Sequence, residues 1–295
     1  MKKISSALAL LLSIGSLWGA SYQELMTQAE QLAKGKKYSE AAAVFDDASL
    51  ETENVSERIE ARYRGFDCLR KARANNAVST AETLLYDEPE LSSNRKIELI
   101  SYIAQRNNIE RRKRAIEFGL NLKGLDEKQR SRILLAALNS GGSWNSEAFV
   151  DEILAMKHPD PEARANALGH RANIHLWVKH APSAALKYVN EALSIKELNA
   201  VDRQFFTLVQ ARSYIALNQF DMAERSYLSA IAIDRQRNFQ QAAYQELAKV
   251  YIISKQPMKI EPLLKRASAD KGLTQQQRQV FANLLAEINK AHKKQ

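Results

Sequence analysis

The chain has 295 residues, including 10 glycines, 6 prolines and one cysteine, and carries a formal charge of +9. So few turn-forming residues exclude a strand-and-turn architecture, because each tight turn in a sandwich or barrel draws on glycine or proline. One cysteine excludes an internal disulfide and a cysteine-ligated zinc site, and good helix formers dominate the remainder.

In chain order, the first element is a leader. Lys2 and Lys3 precede an uncharged run from Ile4 to Trp18, followed by Gly19, Ala20 and Ser21. This is the layout of a secretory signal peptide over residues 1–20, with the cut near Ala20. The run is shorter than the ~20 residues a bilayer-spanning helix needs. An uncleaved anchor is the alternative reading. A periplasmic or secreted location follows from the leader, with no transmembrane segment left after its removal.

Next, Ala29, Leu32, Tyr38, Ala41, Phe45 and Ala48 alternate small and large apolar residues at helical spacing. Cys68 lies beside Phe66 and Leu69 in a helical pattern, as a buried and inert thiol would. Between Ile59 and Met156 helical runs continue, as in Ile97 to Ala104, Ile133 to Leu138 and Phe149 to Ala155, without the small-and-aromatic alternation. Gly141-Gly142-Ser143 is a flexible break. At His158-Pro159-Asp160-Pro161 a boundary is expected, with Asp160 as N-cap and Pro161 as first helical residue.

The alternation then returns. Ala172, Ala185, Val189, Ala192 and Leu193 form one copy. Leu208, Ala211, Tyr214 and Ile215, a short turn at Asn218 and Gln219, and Phe220, Ala223, Tyr227 and Ala230 form the clearest one. Tyr244, Leu247, Ala248, Tyr251, Ile260, Leu264 and Ala267 form the last. Ala211 and Ala248 are 37 residues apart, as are Ala230 and Ala267, while Ala192 and Ala230 are 38 apart. Pro257 stands where an aromatic should open the second helix, a place a helix tolerates in its first turn. Finally Thr274 and Gln277 form a capping box, and Phe281, Leu284, Leu285 and Ile288 form one apolar face of a closing helix.

These residues resemble the tetratricopeptide repeat (TPR), whose period is about 34 residues. The resemblance implies an all-α chain: a right-handed superhelix of antiparallel helix pairs, or TPR-like α-solenoid. It divides the chain into N-terminal repeats over 21–157, TPR-like repeats over 158–272, and a capping helix with a basic tail over 273–295. Only the stretch at about 22–50 is TPR-like in the first part. It further implies a concave groove lined by the first helix of each pair, with the residue after the central small one facing into it. Here those residues are Asn173, Arg212 and Lys249. Gln245 lies beside them, and Leu176, Trp177, Ile215, Ile252 and Ile253 add an apolar strip. Such a groove suits an extended or helical peptide of acidic character.

Charge is unevenly spread. Residues 21–105 carry 11 basic and 15 acidic side chains, and residues from 106 onward carry 30 and 19. Arg106, Arg111, Arg112, Lys113 and Arg114 form a basic run that would suit an anionic envelope surface. Export argues against a nucleic-acid partner. No phosphate loop, zinc helix or nucleophile elbow occurs. His170, His175 and His180 recur every five residues, which turns each ring about 140° from the last, so they do not converge on a metal. No cofactor or catalytic residue is expected. The function implied is that of an exported scaffold or adaptor for a protein or peptide partner, possible roles in this family being envelope assembly and secretion. A basic binder of anionic lipid or cell-wall polymer is the alternative, and a cell-wall enzyme the third reading.

Overall fold

The structure, a computed structural model, describes residues 20–106, 108–140, 146–233 and 236–292, and among these it contains fifteen α-helices and no strand. The leader and the Gly141-Gly142-Ser143 break lie outside the described residues. Two compact units form, divided between Leu125 and Asp126. The first holds α1 (Tyr22–Lys34), α2 (Tyr38–Leu50), α3 (Val55–Ala72), α4 (Ala77–Asp87), α5 (Ser93–Ala104) and α6 (Ile109–Leu120). The second holds α7 (Glu127–Asn139), α8 (Ser146–Ala155), α9 (Pro161–Asn173), α10 (Pro182–Leu193), α11 (Ala200–Ala216), α12 (Phe220–Ile233), α13 (Arg237–Ile253), α14 (Ile260–Ala269) and α15 (Gln275–His292). Within each unit every helix packs on the next in sequence. The chain is therefore a succession of helical hairpins, and α15 packs on the last of them. We call the first helix of each hairpin A and the second B.

Polar residues start many of these helices. Ser21 with Glu24, and Asp126 with Gln129, form reciprocal capping boxes. Asp160 accepts from the amides of Glu162 and Ala163 at 3.0 and 3.4 Å with Pro161 at the first helical position. The Thr274–Gln277 box closes at 2.9 and 3.2 Å. The segment after Leu125 joins the second unit because α7 and α8 both pack on α9. The repeat stack of that unit therefore begins upstream of the Asp160 boundary.

Small residues let the helices approach. Ala29, Ala41 and Ala48 in the first unit, and Ala172, Ala185, Ala192, Ala211, Ala223, Ala230 and Ala267 in the second, are fully buried. Tyr214 and Phe220 pack against the same cluster as Ala211, Ala223, Tyr227 and Ala230. Ala248, by contrast, is only half-buried, though it packs against the same cluster. Cys68 is buried between Phe45 and its helix neighbours, and burial pushes its thiol pKa up. Gly169 of α9 is a close-approach site of a different kind: a Cβ there would lie 2.2 Å from the ring of Phe206.

Five of the A-to-B turns share one device. Lys36, Arg73, His180, Asn218 and Lys255 all adopt positive φ, between 48° and 61°. In four of them the next amide reaches back to the carbonyl five residues earlier: Lys37 to Leu32, Ala74 to Leu69, Gln219 to Tyr214 and Gln256 to Tyr251, at 2.7–3.0 Å. These bonds satisfy carbonyls that a helix end otherwise leaves unpaired. The His180 turn differs. Ile174–Val178 forms a π-helical turn, and Ala181 reaches six residues back, to His175 at 2.7 Å. The extra residue is absorbed inside the helix, which keeps Ala172 in the close-packed position and Asn173 after it.

Two expectations are corrected. Pro257 does not sit in the first turn of the α-helix; Pro257–Lys259 form a separate 3-10 turn and α14 begins at Ile260. A proline ring closes a tight turn easily but supplies no amide to it. Leu284 is 42% exposed, whereas Phe281 is buried and Leu285 and Ile288 pack on the core. Only one side of the closing helix has a neighbour to cover it.

Replacing Lys255, a non-glycine residue in the left-handed region, by glycine is expected to raise stability by roughly 0.5–1 kcal/mol, and Asn218→Gly by less, because asparagine tolerates that conformation. Urea unfolding midpoints check both. Gly169→Ala is expected to lower stability by about 1–3 kcal/mol through overpacking against Phe206. Gly65→Ala, whose added Cβ meets Phe45 at 3.4 Å, is expected to change it by less than about 1 kcal/mol.

Candidate functional site: the A-helix face of the second unit

The A helices α9, α11 and α13 touch one another in succession, so their outward residues form one continuous face. After the buried or half-buried alanines 172, 211 and 248 come Asn173, half-buried, Arg212, half-buried, and Lys249, exposed. Gln245 is exposed one turn earlier. Arg212 is closed off by a partner that the sequence spacing does not advertise. Its Nε and Nη2 donate to Glu246 of α13 at 2.9 and 2.7 Å, and the Tyr227 hydroxyl donates to the same carboxylate at 2.8 Å. Burial alone would raise Glu246, but the guanidinium fork and the hydroxyl outweigh it and hold the carboxyl below its usual range. Burial and the adjacent Glu246 charge push Tyr227 far above the usual phenol value. One helix turn away the pairing is reciprocal: Tyr251 of α13 donates to Glu224 of α12 at 2.8 Å, and Lys259 pairs with that carboxylate as well.

The apolar strip is present at the C-terminal ends of these helices. Trp177 is 58% exposed, Ile252 64% and Ile253 57%, and Val178 is more exposed than any of them. The turns align Trp177 with Ile215 and Ile252, and Val178 with Ala216 and Ile253. Ile215, at the centre, is partly buried against the core. Leu176 does not belong to the strip; the π-helical turn rotates it inward, where it is buried in the α9–α10–α11 core. His170 is partly packed, and burial lowers its pKa; His175 leans on the Tyr188 ring at 5.2 Å; His180 is exposed at the turn. Among the described residues no group of three or more His, Cys, Asp or Glu could hold a metal ion, and no helix is long and apolar enough to cross a membrane.

The basic run lies in the first unit, and most of its charge is engaged there. Arg106 stacks over Tyr102 and Arg114 over Tyr86, at 4.1 and 4.5 Å, while Arg111 pairs with Glu82 at 3.5 Å. Arg112 is half-buried. The A helices of this unit carry a chain of alternating charge: Glu30 of α1 to Arg64 of α3, Arg64 to Glu60 within α3, and Glu60 to Arg95 of α5. Arg95 also covers the Tyr63 ring, whose hydroxyl donates to Glu98. A cleft of about 400 Å³ between α1 and α3, lined by Tyr38, Phe45 and Cys68, is walled by the Glu30–Arg64 and Asp67–Lys71 pairs and by Lys34.

No protein-family model matches the chain, and no curated protein matches its sequence. Among solved structures, the C-terminal part of a TPR repeat-containing protein from Cytophaga hutchinsonii resembles it with a TM-score of 0.53, over 85% of this chain and 97% of that one, at 14% sequence identity. At that identity the likeness shows the fold alone. The chain is an all-α protein of stacked helix pairs with a TPR-like fold.

Glu246 is held more acidic in the folded chain than it would be unfolded, so its pairing stabilises the fold at neutral pH and is lost as pH falls below the ordinary carboxylate range. Glu246→Gln is expected to flatten the fall in stability between about pH 5 and pH 3. Arg212→Ala, which strands a partly buried carboxylate, is expected to cost about 1–3 kcal/mol at pH 7, below the figure for a fully buried pair because both partners retain some solvent. Thermal or urea unfolding across pH measures both.

Proposed function

We propose that this chain is an exported, periplasmic scaffold or adaptor that binds a protein partner on the A-helix face of its second unit and catalyses no reaction, with a role in envelope assembly or secretion. One observation carries the binding reading. Three successive A helices present apolar side chains at equivalent positions, Trp177 and Val178, Ile215 and Ala216, then Ile252 and Ile253, and most of these stay exposed. Leaving such side chains in water forfeits about 25 cal/mol per Å² that a partner would recover. The TPR-like fold supports the same reading, since stacked helix pairs offer an extended surface rather than an enclosed pocket. Export is supported by Lys2, Lys3, the apolar run and the small residues at 19–21. The basic run supports a surface-binding role less well, because Arg106, Arg111 and Arg114 already stack or pair within the unit.

Expression with the native leader followed by N-terminal sequencing is expected to give a chain beginning near Ser21 in the periplasmic fraction; a full-length chain in the cytoplasm overturns the export half. The exported chain, immobilised, is expected to retain a partner from envelope extract that a Trp177→Asp/Ile252→Asp/Ile253→Asp variant of unchanged helicity loses. Equal retention by both overturns the assignment of this face.

A further inference from the structure

The chemistry of the same face restricts what can lie on it, given the partner-binding reading above. An extended peptide leaves its amides and carbonyls open, and a groove that holds one must answer them with side-chain donors and acceptors. Here that supply is largely used up. Arg212 is committed to Glu246. Asn166 donates to Glu162 and Asp202, and Gln210 is bound to Asn190 and Ser226. Gln241 accepts from Gln277. Asn173 and Gln245 remain on the A helices, with Asn218 and Gln219 at the turn after Ile215, and the exposed lysines donate but cannot accept. The surface therefore offers apolar contact and positive charge, with few side-chain acceptors for the amides of a foreign backbone.

The charge it offers is positive. No acidic residue occurs from 163 to 190 or from 247 to 260, the two segments that carry Trp177, Val178, Ile252 and Ile253. Lys179, Lys249 and Lys255 are exposed beside them. Spacing adds a further constraint. Neighbouring packed helices lie about 8–10 Å apart, and two turns of an α-helix advance about 10.8 Å. A helix crossing the three A-helix ends would meet one apolar contact every two turns, over about fifteen residues.

We propose that the occupant of this face is an acidic amphipathic α-helix of a protein partner, which satisfies its own backbone hydrogen bonds, sets apolar residues against Trp177, Ile215 and Ile252, and turns carboxylates toward Lys179, Lys249 and Lys255. An amphipathic helix bringing its own hydrogen bonds needs nothing that this surface lacks.

A library of random sixteen-residue peptides, displayed on phage, tests this on the exported chain, with counter-selection on the Trp177→Asp/Ile252→Asp/Ile253→Asp variant after circular dichroism has shown that variant to be folded. The expected winners are net acidic, carry apolar residues at i, i+3, i+4 and i+7, gain helicity on binding, and bind at least tenfold more weakly when a central residue is changed to proline. Winners that tolerate the proline and repeat their apolar residues every second or third position overturn the helix while leaving the partner reading intact. Failure to enrich any sequence on the wild-type chain over the variant overturns both. Vesicles of phosphatidylglycerol, added separately, are expected not to bind; binding that the variant abolishes would make the occupant a membrane surface and overturn the helix as well.

Discussion

The close approach of helices at buried alanines is the contact on which the rest depends. Two helices meeting at Ala211, Ala223 and Ala230 come near enough for Tyr227 and Tyr244 to fill the space toward the next pair. A hairpin built this way has too little apolar surface to form a core of its own, and it gains one only from the hairpins on either side. Stability is therefore assembled locally, neighbour by neighbour. Helix α15 matters for the same reason: Phe281 packs on Tyr244 with ring centroids 5.7 Å apart and covers a face of the preceding hairpin.

That arrangement also decides where polar groups can go. Between neighbouring repeats the buried tyrosines need acceptors, and carboxylates of the adjoining helix provide them: Glu246 for Tyr227, Glu224 for Tyr251, Asp270 for Tyr244 at 2.6 Å. In the first unit Tyr63 donates to Glu98, and a run of ion pairs from Glu30 to Arg95 joins α1, α3 and α5. The Glu30–Arg95 run and, in the second unit, the Arg212–Glu246 pair hold adjacent A helices in register. In the second unit Trp177, Val178, Ile252 and Ile253, at the ends of the A helices, stay uncovered. The candidate surface is thus what is left once the repeats have met their own needs.

Much of this architecture was legible in the sequence, because small residues recurring every 37 or 38 positions demand a partner helix at each return. The copies at Ala29–Ala48 and Ala211–Ala230 read clearly, and the Asp160-Pro161 start and the Thr274–Gln277 cap followed from side chains acting on amides two or three residues away. Long-range pairings were not legible. Nothing in the local spacing of Arg212 points to Glu246, its partner thirty-four residues on. Leu176 was misplaced because a π-helical turn leaves no mark in apolar periodicity until its rotation is seen. The left-handed turns were hidden too: glycine usually signals them, and here lysine, arginine, histidine and asparagine take the position.

The π-helical turn at Ile174–Val178 carries a consequence for how such a chain changes length. An added residue in an ordinary helix swings everything beyond it by about 100°. In this hairpin the surplus is confined to one widened loop of backbone, and the following helix, Pro182–Leu193, still places Ala185, Val189 and Ala192 inward. An insertion is thereby quarantined within a single repeat, and the surfaces of its neighbours keep their orientation. A protein made of stacked hairpins can drift in length at one point in this way without renegotiating its contacts everywhere else.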